Sequence, residues 1–274
     1  MTCLRIRPVA CLFLAVGLIA GLAAGCAHAP HKPKTEMPTS DILAYGRRAF
    51  ENHEYRDAIE FLKGYVTREP TGEQADEAHY LLGQCYFHTS EWPSAATEFL
   101  IVTNEFAGSS HVPDAHYYLG LCYWKEARGA PYDQDYTHRA LDEFEHFLAL
   151  YPDHPRAEEV KRARIEARTR LAEKSYNSGK LYLKLGYYSP AREYFQKVQS
   201  DFADTPWYTW AILGEAQCWA KQHEWEQSNA LLEKLSLANP PPPDHVASEA
   251  KKLANYVKGR LVASRGGASP ASAP

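Results

Sequence analysis

From residue 41 onward, apolar and small residues recur along the chain with a period of about 34, and each period divides into two helical stretches joined by a turn. Five such units stand in register. The eighth place of the first helix is small in every unit (Gly46, Gly83, Gly120, Gly179, Ala216), and so is the twentieth, in the second helix (Ala58, Ala95, Ala140, Ala191, Ser228). Four residues after the latter stands a large apolar side chain: Leu62, Phe99, Phe144, Phe195 and Leu232. Small residues let two helix backbones approach, and the large residue fills the gap beside them. A single pair cannot bury its apolar face, so neighbouring pairs must stack into one continuous core. Pro70, Pro152 and Pro240 close the second helices of units one, three and five.

The spacing of the twentieth-place residues, 37, 45, 51 and 37, shows where the array is irregular. Eight residues beyond the repeat's need lie between Gly120 and Ala140, which predicts an enlarged turn over Arg128 to His138 inside the third unit. The excess before the fourth unit contains no Gly and one Pro at its start. It predicts a single helix from about Arg156 to Leu185, roughly 45 Å long at 1.5 Å per residue. After Asn239 to Asp244, with its four consecutive prolines, Val246, Ala250, Leu253, Val257 and Leu261 fall on one helical face, as a helix capping the last unit requires. Residues 41–155 therefore hold units one to three, 156–240 the long helix with units four and five, and 241–264 the cap. Residues 265–274 are Gly, Ala, Ser and Pro with one Arg and should be disordered.

The unit resembles the tetratricopeptide repeat, and the resulting expectation is an all-α solenoid of five helix-turn-helix units with a C-terminal capping helix. The N-terminus follows a different logic. Arg5 and Arg7, an apolar run from Val9 to Ala24 and small residues before Cys26 give the order of an export signal over residues 1–25. Sixteen apolar residues rich in Gly and Ala make a poor membrane span. The segment resembles the bacterial lipobox, with Ala23 where Leu is usual, and that resemblance implies a diacylglycerol on the thiol of Cys26, which becomes the new N-terminus. Residues 26–40 then read as a lipidated cysteine and a flexible tether carrying three prolines.

Without the signal, 28 basic residues face 34 acidic ones. No basic stripe that could release counterions from phosphates is present, so no nucleic-acid partner is expected. Cys85, Cys122 and Cys218 occupy the same place of the first helix in three different units, about a helix diameter or more apart, too far for a disulfide. They read as small core residues. There is no CxxC, no HExxH, no GxSxG and no phosphate loop, so no catalytic residue, metal or cofactor is expected beyond the lipid on Cys26. The twelve histidines are scattered; His79 and His116 hold corresponding places in adjacent units and read as packed or surface residues.

The repeat resemblance also says which residues of each first helix turn toward the concave face. In the first three units these include Leu43, Arg47, Phe50, Tyr80, Gln84, Phe87, Tyr117, Leu121 and Trp124. Phe50, Tyr80, Phe87, Tyr117 and Trp124 are the candidate lining of a peptide-binding groove. Against this stands the alternative that Tyr80 and Tyr117 pack between repeats. The last two units place Tyr176, Lys180, Leu183 and Lys184, then Leu213, Gln217, Ala220 and Lys221 there, a more aliphatic and basic set. The carboxylate clamp of some repeat proteins is not matched, because Leu43 and Arg47 stand where its Lys and Asn would be.

The lipobox, the tether, five repeats and the long helix before the fourth together resemble the BamD (ComL) family of outer-membrane assembly lipoproteins. The most specific stretches are ALDEFEHFLALYPDHPRAEEV and RLAEKSYNSGKLYLKLGYYSPAREYFQKVQSDFADTP. The resemblance covers about residues 26 to 240. It implies a non-catalytic, lipid-anchored subunit on the periplasmic side of the outer membrane, in the complex that folds and inserts β-barrel proteins. It further implies unfolded β-barrel substrates at the N-terminal repeats, the barrel-forming subunit with its periplasmic domains at the C-terminal repeats, and other assembly lipoproteins as possible partners. The same fold would serve an envelope adaptor for peptidoglycan or cell-division machinery.

Overall fold

The computed structural model describes residues 37–265, and among these it contains helices and no strands. The signal, Cys26, most of the tether and the C-terminal tail lie outside the described residues. Helices come in antiparallel pairs: α1 (Thr39–Glu51) with α2 (Tyr55–Arg68), α3 (Ala75–His88) with α4 (Trp92–Glu105), α5 (Val112–Glu126) with α6 (Asp135–Leu150), α7 (Ala157–Lys184) with α8 (Tyr188–Asp201), and α9 (Trp207–Lys221) with α10 (Trp225–Ser236). A last helix, α11 (Asp244–Arg265), packs on α10 and α9 and closes the stack.

The eighth-place glycines explain why the pairs close so tightly. A Cβ on Gly83 would stand 2.7 Å from the Phe99 ring, one on Gly120 2.6 Å from Phe144, and one on Gly179 2.8 Å from Phe195. The aromatic ring thus presses against the backbone of the opposing helix, where any Cβ would stand in its way. The twentieth-place Ala58, Ala95, Ala140 and Ala191 are completely buried, as is Ser228, whose hydroxyl donates to the Ala216 carbonyl at 2.9 Å and so remains satisfied. The fifth pair meets at the expected Ala216, and Gly214, two residues earlier, faces the preceding unit instead: its Cβ would lie 2.6 Å from Phe195. Phe195 is therefore clasped by glycines of two successive first helices.

Within four units the two helices are joined by a left-handed residue seven places after the small one: His53 (φ 62°), Ser90 (φ 64°), Gly186 (φ 82°) and His223 (φ 65°). Each turn closes the same way. The following amide bonds back to the helix, as Glu54 N to Ala49 O and Tyr187 N to Tyr182 O, both 2.9 Å, which satisfies the orphan carbonyls of the helix end. The third unit departs from this pattern. Its turn covers residues 127–134, shorter than the expected Arg128 to His138, because Asp135 to His138 are already helical. Gln134 organises it, its amide donating to the carbonyls of Gly129, Tyr132 and Asp133 while its own carbonyl accepts from the Thr137 hydroxyl.

The long helix α7 spans 28 residues, about 42 Å. Val160 and Ala163 near its start belong to the core of units one to three, whereas Ala167, Leu171, Ala172 and Tyr176 belong to the core of units four and five. Trp124 touches both cores, and Trp210 joins the second to the cluster under α11. The stack is continuous rather than interrupted at α7. Arg168 secures its far side, with Nε 2.8 Å from Asp204 and its guanidinium over the Phe202 ring at 5.4 Å. Cys85, Cys122 and Cys218 are free and buried, and burial pushes each thiol up to about 12.

Candidate functional site

Phe50, Phe87 and Trp124 hold the twelfth place of α1, α3 and α5, one helical turn after the glycine that docks the second helix. The glycine contact fixes the rotation of each helix, so the three rings repeat at the spacing of the stack. All three are half-buried. Phe87 packs edge-on against Trp92 (centroids 5.1 Å) and Tyr118 (5.2 Å), and Phe50 meets Tyr55 at 6.0 Å. Tyr55 in turn stacks on His88 at 4.5 Å and 8°. Trp124 lies beneath the Arg170 guanidinium at 3.7 Å, which covers one face of the indole.

Tyr80 and Tyr117 are not part of that half-buried row, a correction to the five-residue lining expected from the pattern. They are 8% and 4% exposed and belong to the packing between units. Tyr80 stacks on His111 at 4.6 Å and accepts a hydrogen bond from the Gln84 amide at 2.6 Å. The Tyr117 hydroxyl donates to Glu159 across to α7, and Arg156 lies over the Tyr117 ring at 4.7 Å while pairing with Asp114 at 2.7 Å. Burial, with Asp114 nearby for Tyr80 and the bond to Glu159 for Tyr117, holds both phenols above their ordinary range. The physical reason is that a phenol can be buried whole when a neighbouring residue offers its oxygen a partner, and here each has one.

Arg47 is also engaged. Its guanidinium makes two hydrogen bonds to Glu77 of the next unit, at 2.7 and 2.5 Å. His79 and His116 meet Glu98 and Glu143 on the paired helix, at 2.6 and 3.0 Å, so the same His–Glu link is repeated in units two and three. Leu43 is buried in the core. The open part of the face is thus the spaced row Phe50, Phe87 and Trp124, hydrophobic and able to hold apolar side chains of an extended segment. Among the described residues no group of three or more His, Cys, Asp or Glu could hold a metal ion, and no helix is long and apolar enough to cross a membrane.

A second apolar surface lies outside the repeat pattern. Leu181, Leu185 and Tyr187, at the end of α7 and in its turn, are 55%, 58% and 59% exposed. All three are large apolar side chains left to solvent within seven residues of one another.

A protein-family model described as "YfiO: Outer membrane lipoprotein" matches residues 35–229. No curated protein matches this sequence. Among solved structures, the MamA protein is similar at 15% identity, covering 86% of this chain and 98% of its own, with a TM-score of 0.35. The TPR2AB domain of yeast Sti1, solved as a complex with pHSP90, is similar at 11% identity over 81% of this chain and 84% of its own, with a TM-score of 0.40. A TPR repeats protein from Bacteroides fragilis NCTC 9343 is similar at 14% identity over 82% and 90%, also at 0.40.

Proposed function

The chain belongs to the YfiO family of outer membrane lipoproteins, and from that membership we propose that it is a BamD-like subunit of the machinery that folds and inserts β-barrel proteins into the outer membrane. In this reading it catalyses nothing and needs no cofactor. A lipid on Cys26 holds it at the periplasmic side of the outer membrane, and its repeats bind protein. Two acyl chains, at about 0.8 kcal/mol per buried methylene, suffice for stable anchoring. The segment between Cys26 and Thr39 reaches at most about 45 Å, which keeps the first units near the bilayer.

The observation that supports a binding role most directly is the row Phe50, Phe87 and Trp124, three half-buried rings at equal places of successive first helices. An unfolded barrel strand alternates aromatic and apolar residues on one face, and an extended segment of that kind can seat alternate side chains on such a row. Each ring that becomes buried contributes roughly 1.5 to 3 kcal/mol of transfer free energy before ordering costs. The exposed Leu181, Leu185 and Tyr187 are suited to the barrel-forming subunit, as the family resemblance assigns the C-terminal repeats to that partner.

Two measurements test this. An amidated peptide copying a barrel C-terminal strand should bind the full-length protein about tenfold or more weakly when Phe87→Ala and Trp124→Ala are combined; unchanged binding removes the groove assignment. Co-purification from detergent-solubilised membranes should recover a large β-barrel protein with periplasmic domains. Recovery with cell-wall synthases instead would make the protein an adaptor.

A further inference from the structure

Between α7 and α9, against the α7–α8 turn, lies a cavity of 460 Å³ lined by Leu183, Lys184, Gly186, Tyr188, Gln217 and Lys221. That size is within the roughly 300 to 1,000 Å³ of small-ligand sites. The repeat explains its composition. Lys184 and Lys221 both hold the thirteenth place of their first helices, so stacking the fourth and fifth units brings one lysine from each to the same cavity. Gln217, at the ninth place of α9, adds an amide with two donors. Leu183 and Tyr188 are half-buried and supply apolar wall. The tight turn that shapes the near end depends on Gly186 at φ 82°.

What sets this cavity apart is that two lysines line it with no carboxylate beside them. Several arginines of the stack are engaged: Arg47, Arg156 and Arg168 close on carboxylates, and Arg139, Arg170 and Arg192 lie on aromatic rings. No carboxylate lines the cavity, and Lys184 and Lys221 make no ion pair with a described residue. Two unpaired cations and an amide donor lining one cavity beside apolar wall match an anion carried on an apolar body. A carboxylate can accept from both ammoniums and from the amide at once, and such charge-assisted bonds are the stronger kind.

We propose that this cavity is a peptide-binding site that takes a carboxylate standing beside an apolar side chain. The carboxylate sits between Lys184 and Lys221, Gln217 donates to it, and the adjoining side chain packs on Leu183 and Tyr188. The site is separate from the row Phe50, Phe87 and Trp124 and does not depend on how that row is used. The terminal carboxylate of a peptide backbone and an Asp or Glu side group present the same chemistry.

The test uses the full-length protein in detergent and three fluorescent peptides: one ending Gly-Ser-Leu-Phe as the free acid, the same as the amide, and an amide ending Gly-Glu-Leu-Phe. The free acid should bind at least tenfold more tightly than the amide lacking a carboxylate if the source is a C-terminus; the Glu amide should recover that affinity if a side group serves. Combined Lys184→Gln and Lys221→Gln should weaken the carboxylate peptides at least tenfold and leave the amide lacking a carboxylate unaffected. Affinity should also fall as ionic strength shortens the Debye length from roughly 30 to 10 Å. Both lysines are exposed and unpaired, so the double variant should keep the unfolding midpoint of the parent. The proposal fails if all three peptides bind alike, if none binds, or if the double Gln variant retains full affinity.

Discussion

Phe195 offers the sharpest test of how the repeats lock together. The ring is 1% exposed and touches two glycine backbones, Gly179 of its own unit and Gly214 of the next. A methyl on Gly179 would lie 2.8, 3.0 and 3.1 Å from ring carbons, and one on Gly214 2.6, 2.7 and 2.9 Å. Favourable carbon contacts lie at about 3.5 to 4.0 Å, so either methyl forces the ring or a helix to move. Overpacking of this kind costs about 1 to 3 kcal/mol, against a gain of about 1 kcal/mol from replacing Gly by Ala inside a helix. Each single substitution, Gly179→Ala or Gly214→Ala, should therefore destabilise by about 1 kcal/mol net. The double should cost more than the sum, because retreat from one methyl drives the ring onto the other. Gly259→Ala is the control: it too lies within a helix, α11, but with no atom near its added methyl, and should stabilise by up to about 1 kcal/mol. Phe195→Leu removes the ring and should make Gly214→Ala close to neutral in that background. Guanidinium unfolding followed by far-ultraviolet circular dichroism reads the global effect, and hydrogen exchange of α8 amides reads the local one, since repeat arrays need not unfold in one step. If Gly179→Ala and Gly214→Ala match Gly259→Ala in sign, the interlock is not what holds units four and five together.

Ser90→Gly relieves a left-handed residue at φ 64° and should raise the unfolding midpoint, by an amount equivalent to up to about 1 kcal/mol, whereas Gly186→Ala at φ 82° should lower it. Burial works against the charge on Asp204, but the Arg168 hydrogen bonds and charge prevail and hold its carboxyl below the ordinary range. A depressed carboxylate contributes stability above its unfolded value, near 4, that is lost as pH falls through the folded value; Arg168→Met should lower stability at neutral pH and flatten that acid limb in pH-dependent unfolding. Cys85, Cys122 and Cys218, with thiols pushed up to about 12 by burial, should resist iodoacetamide in the native protein and alkylate together once it is unfolded, as peptide mapping by mass spectrometry will show. Early labelling of Cys122 alone would mean that the third unit opens locally.

Much of the helical order is local and is therefore legible in the sequence. Gly or Ala at the eighth place and Ala or Ser at the twentieth announce a close helix pair, and the long helix expected from Arg156 to Leu185 runs from Ala157 to Lys184. Absence of Gly and Pro over most of that stretch is enough to extend a helix. The turns are less legible: His53, Ser90 and His223 take a left-handed conformation that nothing in their side groups demands, imposed by the geometry of two docked helices. Gly214 escapes the pattern for the same reason, since its partner Phe195 lies in a different unit. Of the five aromatic residues expected to line the groove, periodicity places all on one face and can go no further. Whether a residue on that face looks into the groove or into the next unit depends on the partner across the joint: Gln84 and His111 bury Tyr80, Glu159 and Arg156 bury Tyr117, while Phe50, Phe87 and Trp124 have no polar atom to satisfy at Phe and only a covering Arg170 at Trp. Sequence by itself determined the repeat, its irregularities and the helices, because these follow from spacing within one unit. Which side groups remain open, and that Lys184 and Lys221 share a cavity, only the tertiary structure decided, because both depend on the contacts made between units.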